Sequence, residues 1–240
     1  MVVDMKTLKI LLIIGSLFCI SEIMAQTYYY NTSTTFKQTG PHKAYNILAE
    51  PQYHWKNTYT HVHNVWTDVL DYVCDWALHA KNETELITDI TTKAYTGLGK
   101  EYTEEPNFTF EPMCNLTGIL QGTKVDCWDM AAVVYMFSCA AGSSNIRMRR
   151  VYGPFDTHPV LPTGLGAIWE THRWRYHVFA WYNDTVYDAC IKVNQANPYL
   201  PVGDDYNNYK YKVWNDFNIL RPFRKNEWHS FGGASFFNFK

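Results

Sequence analysis

The 240-residue sequence has no block of basic residues: 21 Lys and Arg stand against 23 Asp and Glu, a formal net charge of −2 at pH 7. Phosphate backbones are held by clustered positive charge, so a nucleic-acid partner is excluded. There is no Cys-x-x-Cys, which argues against disulfide exchange. Nor do Cys and His cluster at the spacing of a zinc site; His61 and His63 stand two apart on an expected helix and face different ways. An Asp-rich loop of the EF-hand type is missing too, and neither a metal nor a cofactor is expected. No apolar run reaches the roughly 20 residues of a spanning helix. The run Ile10 to Ile20 follows Lys6 and Lys9 and precedes Ala25, which is the pattern of a secretory signal over residues 1–25.

The mature chain expected from this, residues 26–240, is secreted, carries no membrane anchor and suffices for a single domain with one sizeable core. Its body lies at about 58–195, with a less readable extension at 196–240. Sequons at Asn31, Asn82, Asn107, Asn115 and Asn183 suit a secretory route and mark candidate glycosylation sites. Cys19 leaves with the signal, so Cys74, Cys114, Cys127, Cys139 and Cys190 remain. An odd count in an oxidising compartment implies a free thiol or an intermolecular bridge. The free thiol is expected to be the one that does chemistry. If that is Cys127, then Cys74, Cys114, Cys139 and Cys190 can form up to two disulfides, with the pairing open.

Residues 26–57 show no clear period and read as loops. From Tyr59, Val62, Val65, Trp66, Val69, Leu70, Val73 and Ala77 recur at three- and four-residue steps, which predicts an amphipathic helix to about Ala80. Leu86, Ile87, Ile90 and Ala94 predict a second helix over Glu83 to Tyr95, stopped by Gly97 and Gly99. The stretch Glu101 to Lys124, with Pro, Asn, Gly and two sequons, reads as surface loop. Asp126 can cap a mostly buried helix that opens at Cys127 and stops at Gly142. Strands are expected at about Ile146 to Tyr152, Trp174 to Tyr182 and Thr185 to Val193, the last two joined by the two-residue turn Asn183-Asp184.

Cys127 falls in the first turn of its helix, where free N–H groups and the helix dipole favour a thiolate. Counting outward from the hairpin turn places Phe179 opposite Asp188 and His177 opposite Cys190, all four on one face. His177 and Asp188 are then diagonal neighbours across roughly 7–8 Å, a span their side chains can close. A carboxylate so placed fixes the imidazole tautomer and leaves the other nitrogen for the thiol proton. His172 is a lesser alternative base, without an evident carboxylate. Gln121, six residues before Cys127, is a weak oxyanion candidate alongside the Cys127 N–H. Trp128, Trp169 and Trp174 can shape a substrate groove, although packing in the core is the commoner use of tryptophan.

Val125-Asp126-Cys127-Trp128-Asp129-Met130-Ala131-Ala132, Arg149-Arg150-Val151-Tyr152-Gly153, Arg175-Tyr176-His177-Val178-Phe179-Ala180-Trp181-Tyr182 and Val186-Tyr187-Asp188-Ala189-Cys190, taken together, resemble the core of the transglutaminase-like superfamily. The likeness covers roughly Thr123 to Val193, about a third of the chain. It implies an α+β, cysteine-protease-like fold in which helices pack on a small antiparallel sheet, with Cys127 as nucleophile, His177 as base and acid, and Asp188 as orienting carboxylate. The His177 to Asp188 interval is shorter than in larger members, and the calcium-binding and flanking β-domains of large animal transglutaminases have no room here. The expected activity is acyl transfer or hydrolysis at protein or peptide amides through a thioester. The rival expectation is a secreted binding or structural module that has kept the fold and lost catalysis; a Cys127–Cys190 bridge would mask the nucleophile, permanently or as a redox switch.

Overall fold

The computed structural model describes residues 44–52, 55, 67–105, 108–110, 113–214 and 228–229. Val69, Val73 and Trp76 form the buried face of α1 (Thr67–Trp76). The expected start of this helix near Tyr59 lies outside the described residues, as do the signal segment, Asn31 and Asn107. Helix α2 (Glu83–Gly97) buries Leu86, Ile87, Ile90 and Ala94, as their spacing predicts. Asn82 caps it by accepting from the Glu85 N–H at 2.9 Å, while the Glu85 carboxylate accepts from the Lys81 N–H at 2.8 Å.

The next segment differs from its expected reading as surface loop. It holds β1 (Glu101–Tyr102), a small hairpin of β2 (Thr109–Phe110) and β3 (Met113–Cys114), α3 (Leu116–Gln121) and β4 (Lys124–Val125), which pairs in parallel with β1. Tyr102, Thr109, Cys114, Leu116 and Ile119 are buried. Its Asn and Gly residues punctuate elements too short to show a period: Asn115 caps α3 by accepting from the Gly118 N–H at 2.9 Å.

Helix α4 (Cys127–Ala140) opens where the sequence places it. The Asp126 carboxylate accepts from the Asp129 N–H at 2.9 Å and the Asp129 carboxylate from the Asp126 N–H at 3.2 Å, a reciprocal cap. All 14 of its residues are buried, and α1, α2 and two strands of the main sheet pack around it. Gly142 ends it at φ +104°, with a Cβ there only 2.5 Å from Ala49 O. Gly142→Ala is therefore expected to cost about 3 kcal/mol, through strain and a backbone clash. Gly166→Ala, at φ +64° with nothing within 4 Å, carries the strain alone. A smaller loss there, compared by urea midpoint, is the check on this account.

The main sheet is antiparallel, with strand order β10-β8-β7-β5-β11, formed by β5 (Arg147–Asp156), β7 (Arg173–Tyr182), β8 (Thr185–Tyr187), β10 (Val202–Asp205) and β11 (Trp228–His229). Between them, β6 (Val160–Pro162) pairs with β9 (Ile191–Val193), and α5 (Tyr206–Val213) follows β10. Strand β5 outruns its expected end at Tyr152: a register shift between Tyr152 and Phe155 absorbs Gly153 and Pro154, and pairing resumes at Phe155 with Trp174. Asn183 and Asp184, at φ +46° and +61°, form the two-residue turn, with Tyr182 opposite Thr185.

The expected single strand Thr185 to Val193 is two strands. The β7–β8 ladder stops at Ala180 opposite Tyr187. Beyond it the Asp188 N–H turns to Pro201 O at 2.9 Å, and the Thr163 N–H donates to Cys190 O at 2.8 Å. The chain thus leaves β7 for β6, and Cys190 has no ladder partner in His177. The buried apolar residues form one cluster around α4, and the architecture is a mixed α and β one with small, mostly antiparallel sheets. Among the described residues no helix is long and apolar enough to cross a membrane.

Candidate active site

The departure of Asp188 from the ladder brings its carboxylate onto His177. His177 Nε2 lies 2.8 Å from Asp188 Oδ2, and both side chains are 0% exposed. Two further donors meet the same carboxylate: the Cys190 N–H at 2.8 Å on Oδ1 and the Tyr209 hydroxyl at 2.7 Å on Oδ2. Burial of a carboxylate is costly without such partners. His177 Nδ1, also buried, has no hydrogen-bond partner among the described residues. The imidazole is thus held by one nitrogen and open at the other. Trp174 stacks on it, ring centroids 4.3 Å apart.

Cys127 is 3% exposed at the first position of α4, where the backbone of Val178 on β7, next to His177, acts on its thiol. The thiolate expected from the helix N-terminus is opposed: burial pushes this thiol well above its ordinary range, the Asp126 charge adds to the rise, and the Val178 N–H works the other way. Asp126 and Asp129 are themselves 1% and 0% exposed. Burial raises both carboxyls above their ordinary range, and for Asp126 the neighbouring Asp129 raises it further. In the structure, then, a neutral thiol stands beside two carboxyls that resist ionisation. Cys190 is likewise buried, its thiol pushed up by burial, then by Asp188 and Cys127.

The other sequence candidates divide. Gln121 is exposed at the end of α3. Trp128 and Trp174 are 4% and 3% exposed and Trp169 is half-buried, so the first two are core residues. Trp174 also lines a cavity of about 400 Å³ together with Gly153, Pro154, Arg173 and Arg175. His172 does have a carboxylate, contrary to the sequence reading: its Nε2 lies 2.8 Å from Glu104 Oε1. Its ring centroid lies 4.2 Å from that of Trp169, the two rings tilted by 36°. No disulfide joins the described cysteines; Cys114, Cys127, Cys139 and Cys190 are buried thiols, and the Cys74 thiol donates to Asn46 O at 3.5 Å. The Cys127–Cys190 bridge considered from sequence is thus not formed. Asn82, Asn115 and Asn183 are exposed, as sites of glycan attachment must be. Among the described residues no group of three or more His, Cys, Asp or Glu could hold a metal ion.

Sequence reasoning missed Tyr209, the Val178 N–H and the burial of Asp126 and Asp129. For Tyr209 a signal existed: Asp205 accepts from the N–H groups of Asn207 and Asn208 and so caps α5, in which Tyr209 and Val213 recur at a helical spacing. No family model, no curated protein and no solved structure matches this chain. The site's chemistry therefore has to be argued from its own geometry.

Proposed function

We propose that this chain is a secreted thiol enzyme of the transglutaminase-like kind, acting on protein or peptide amides through Cys127, His177 and Asp188. The observation that carries the reading is the sealed His177–Asp188 pair, bonded through Nε2 and leaving Nδ1 without a partner among the described residues, on the strand against which the Cys127 helix packs. A purely structural His–Asp pair gains nothing from an orphaned buried nitrogen, which costs free energy to keep. In the reaction the thiol proton passes to Nδ1 as sulfur bonds the carboxamide carbon. The C–N bond then breaks, the leaving nitrogen takes that proton, and a thioester remains. An amine acceptor makes the overall reaction a transfer, and water makes it a hydrolysis. The raised thiol favours a resting Cys127 that keeps its proton until the carbonyl is in place.

A second reading, a binding module that has kept the fold and lost catalysis, draws on the near-complete burial of Cys127. Iodoacetamide labelling of the native, non-reduced protein across pH, with peptide mapping, separates the two. Labelling of Cys127 ahead of Cys114, Cys139 and Cys190, weakened roughly tenfold or more by His177→Ala, is the outcome expected of the enzyme. An unlabelled Cys127, or labelling indifferent to His177, gives the chain to the binding reading.

A further inference from the structure

Tyr209 is 0% exposed, packed edge-on against Phe179 with ring centroids 5.3 Å apart and against Trp214 at 5.9 Å. Its hydroxyl donates at 2.7 Å to Asp188 Oδ2, the oxygen that His177 Nε2 also meets. Burial, with the Asp188 charge beside it, holds this phenol well above its ordinary range, so it stays a donor wherever the protein is folded. Two donors on one carboxylate oxygen compete for the same electron density. The hydroxyl therefore does more than fill a hole, because it weakens the pull of Oδ2 on the imidazole.

We propose that Tyr209 is a positioning residue of this site, its hydroxyl orienting Asp188 Oδ2 toward His177 and tempering how strongly that carboxylate draws on the imidazole. The use of this in catalysis rests on the thiol-enzyme reading of Cys127; the coupling itself does not. The other titratable groups that face the pair, Tyr209 or the sulfurs beside them are Tyr95 on α2, Tyr102 on β1, Asp126 before α4, Cys127 and Asp129 on α4, Cys190 after β8 and Tyr206 on α5. Burial raises all of them, which keeps the tyrosines and cysteines neutral at physiological pH, and Asp188 is the carboxylate that the Tyr209 hydroxyl meets.

Tyr209→Phe keeps the ring and its packing and removes only the oxygen. The NMR resonance of the proton between His177 Nε2 and Asp188 is then expected to move downfield, because Oδ2 is left with one donor. The pH midpoint of Cys127 alkylation is expected to move about one unit lower, a tenfold gain in the imidazole's hold on the thiol proton. Difluorotyrosine at position 209 is a stronger donor of nearly the same shape, which keeps the test open should the phenylalanine variant fail to fold; it is expected to move the resonance upfield. A resonance unmoved by either change, with only thermal stability altered, overturns the proposal and reduces Tyr209 to a packing residue. Labelling of Cys127 in the unaltered protein decides the thiol-enzyme reading separately.

Discussion

Asp188→Ala is expected to lower the thermal midpoint by roughly 10 °C, the equivalent of about 4 kcal/mol in a chain of this size. Three groups depend on that one carboxylate: His177 Nε2, the Tyr209 hydroxyl and the Cys190 N–H, at 2.8, 2.7 and 2.8 Å. All three lie in parts of the protein closed to water, so none finds a substitute partner, and each unmet group carries its desolvation cost. Asp204→Ala is the instructive contrast. Asp204 lies 3.5 Å from Lys212 and accepts from the Tyr199 hydroxyl at 2.8 Å, but its side chain is 17% and that of Lys212 43% exposed, so water can take up much of what is lost. That variant is expected to shift stability by less than about 1 kcal/mol. The two are compared by thermal unfolding followed by near-ultraviolet circular dichroism under reducing conditions. A loss for Asp188→Ala no larger than that for Asp204→Ala would show that water reaches the pair.

Asp126→Asn is expected to stabilise the protein at alkaline pH and to change little at acid pH. The folded state raises this carboxyl above its ordinary value of 3.8, through burial first and Asp129 second. A group so raised contributes stability that is fully present below the unfolded value and is lost as pH rises through the folded one, because the native state holds the proton that the unfolded chain has released. Asparagine keeps an oxygen to accept from the Asp129 N–H and never ionises, so the helix cap survives and the penalty disappears. The expected gain is on the order of 2 kcal/mol once the pH exceeds the folded value, read as the difference between variant and parent midpoints from pH 4 to 9. The same change removes a charge that raises the Cys127 thiol, so alkylation of Cys127 should move to lower pH. A midpoint difference flat across pH would count against the carboxyl's raised value.

Legibility in the sequence tracked the strength of local signals. The cap at Asp126, and the glycine beyond Ala140, bounded α4 closely because caps are read from a few adjacent side chains, whereas the reciprocal bond from Asp129 was not foreseen. The Asn183-Asp184 turn set the register of three residue pairs and so carried Asp188 to the end of the ladder near His177, while the contact itself is made where Asp188 leaves the ladder. The path of the chain after Tyr187 was not readable: the exit of Asp188 depends on Pro201 O, thirteen positions on, and strand alternation carries no trace of it. Elements of two residues, such as β1 and β4, are shorter than any period and so passed for loop. The position of Cys127 was legible and its electrostatics were not, because the dipole argument concerns an exposed helix end and this one is sealed together with two carboxyls.

Enclosure of α4 on every side has a mechanical consequence. The sulfur stands at the tip of a post set in the densest part of the protein, with α1, α2, β5 and β7 gripping its length. Tilting or sliding that post would disturb all 14 buried residues at once. On the proposed chemistry the nucleophile is therefore the fixed point of the enzyme, and the amide has to be brought to it.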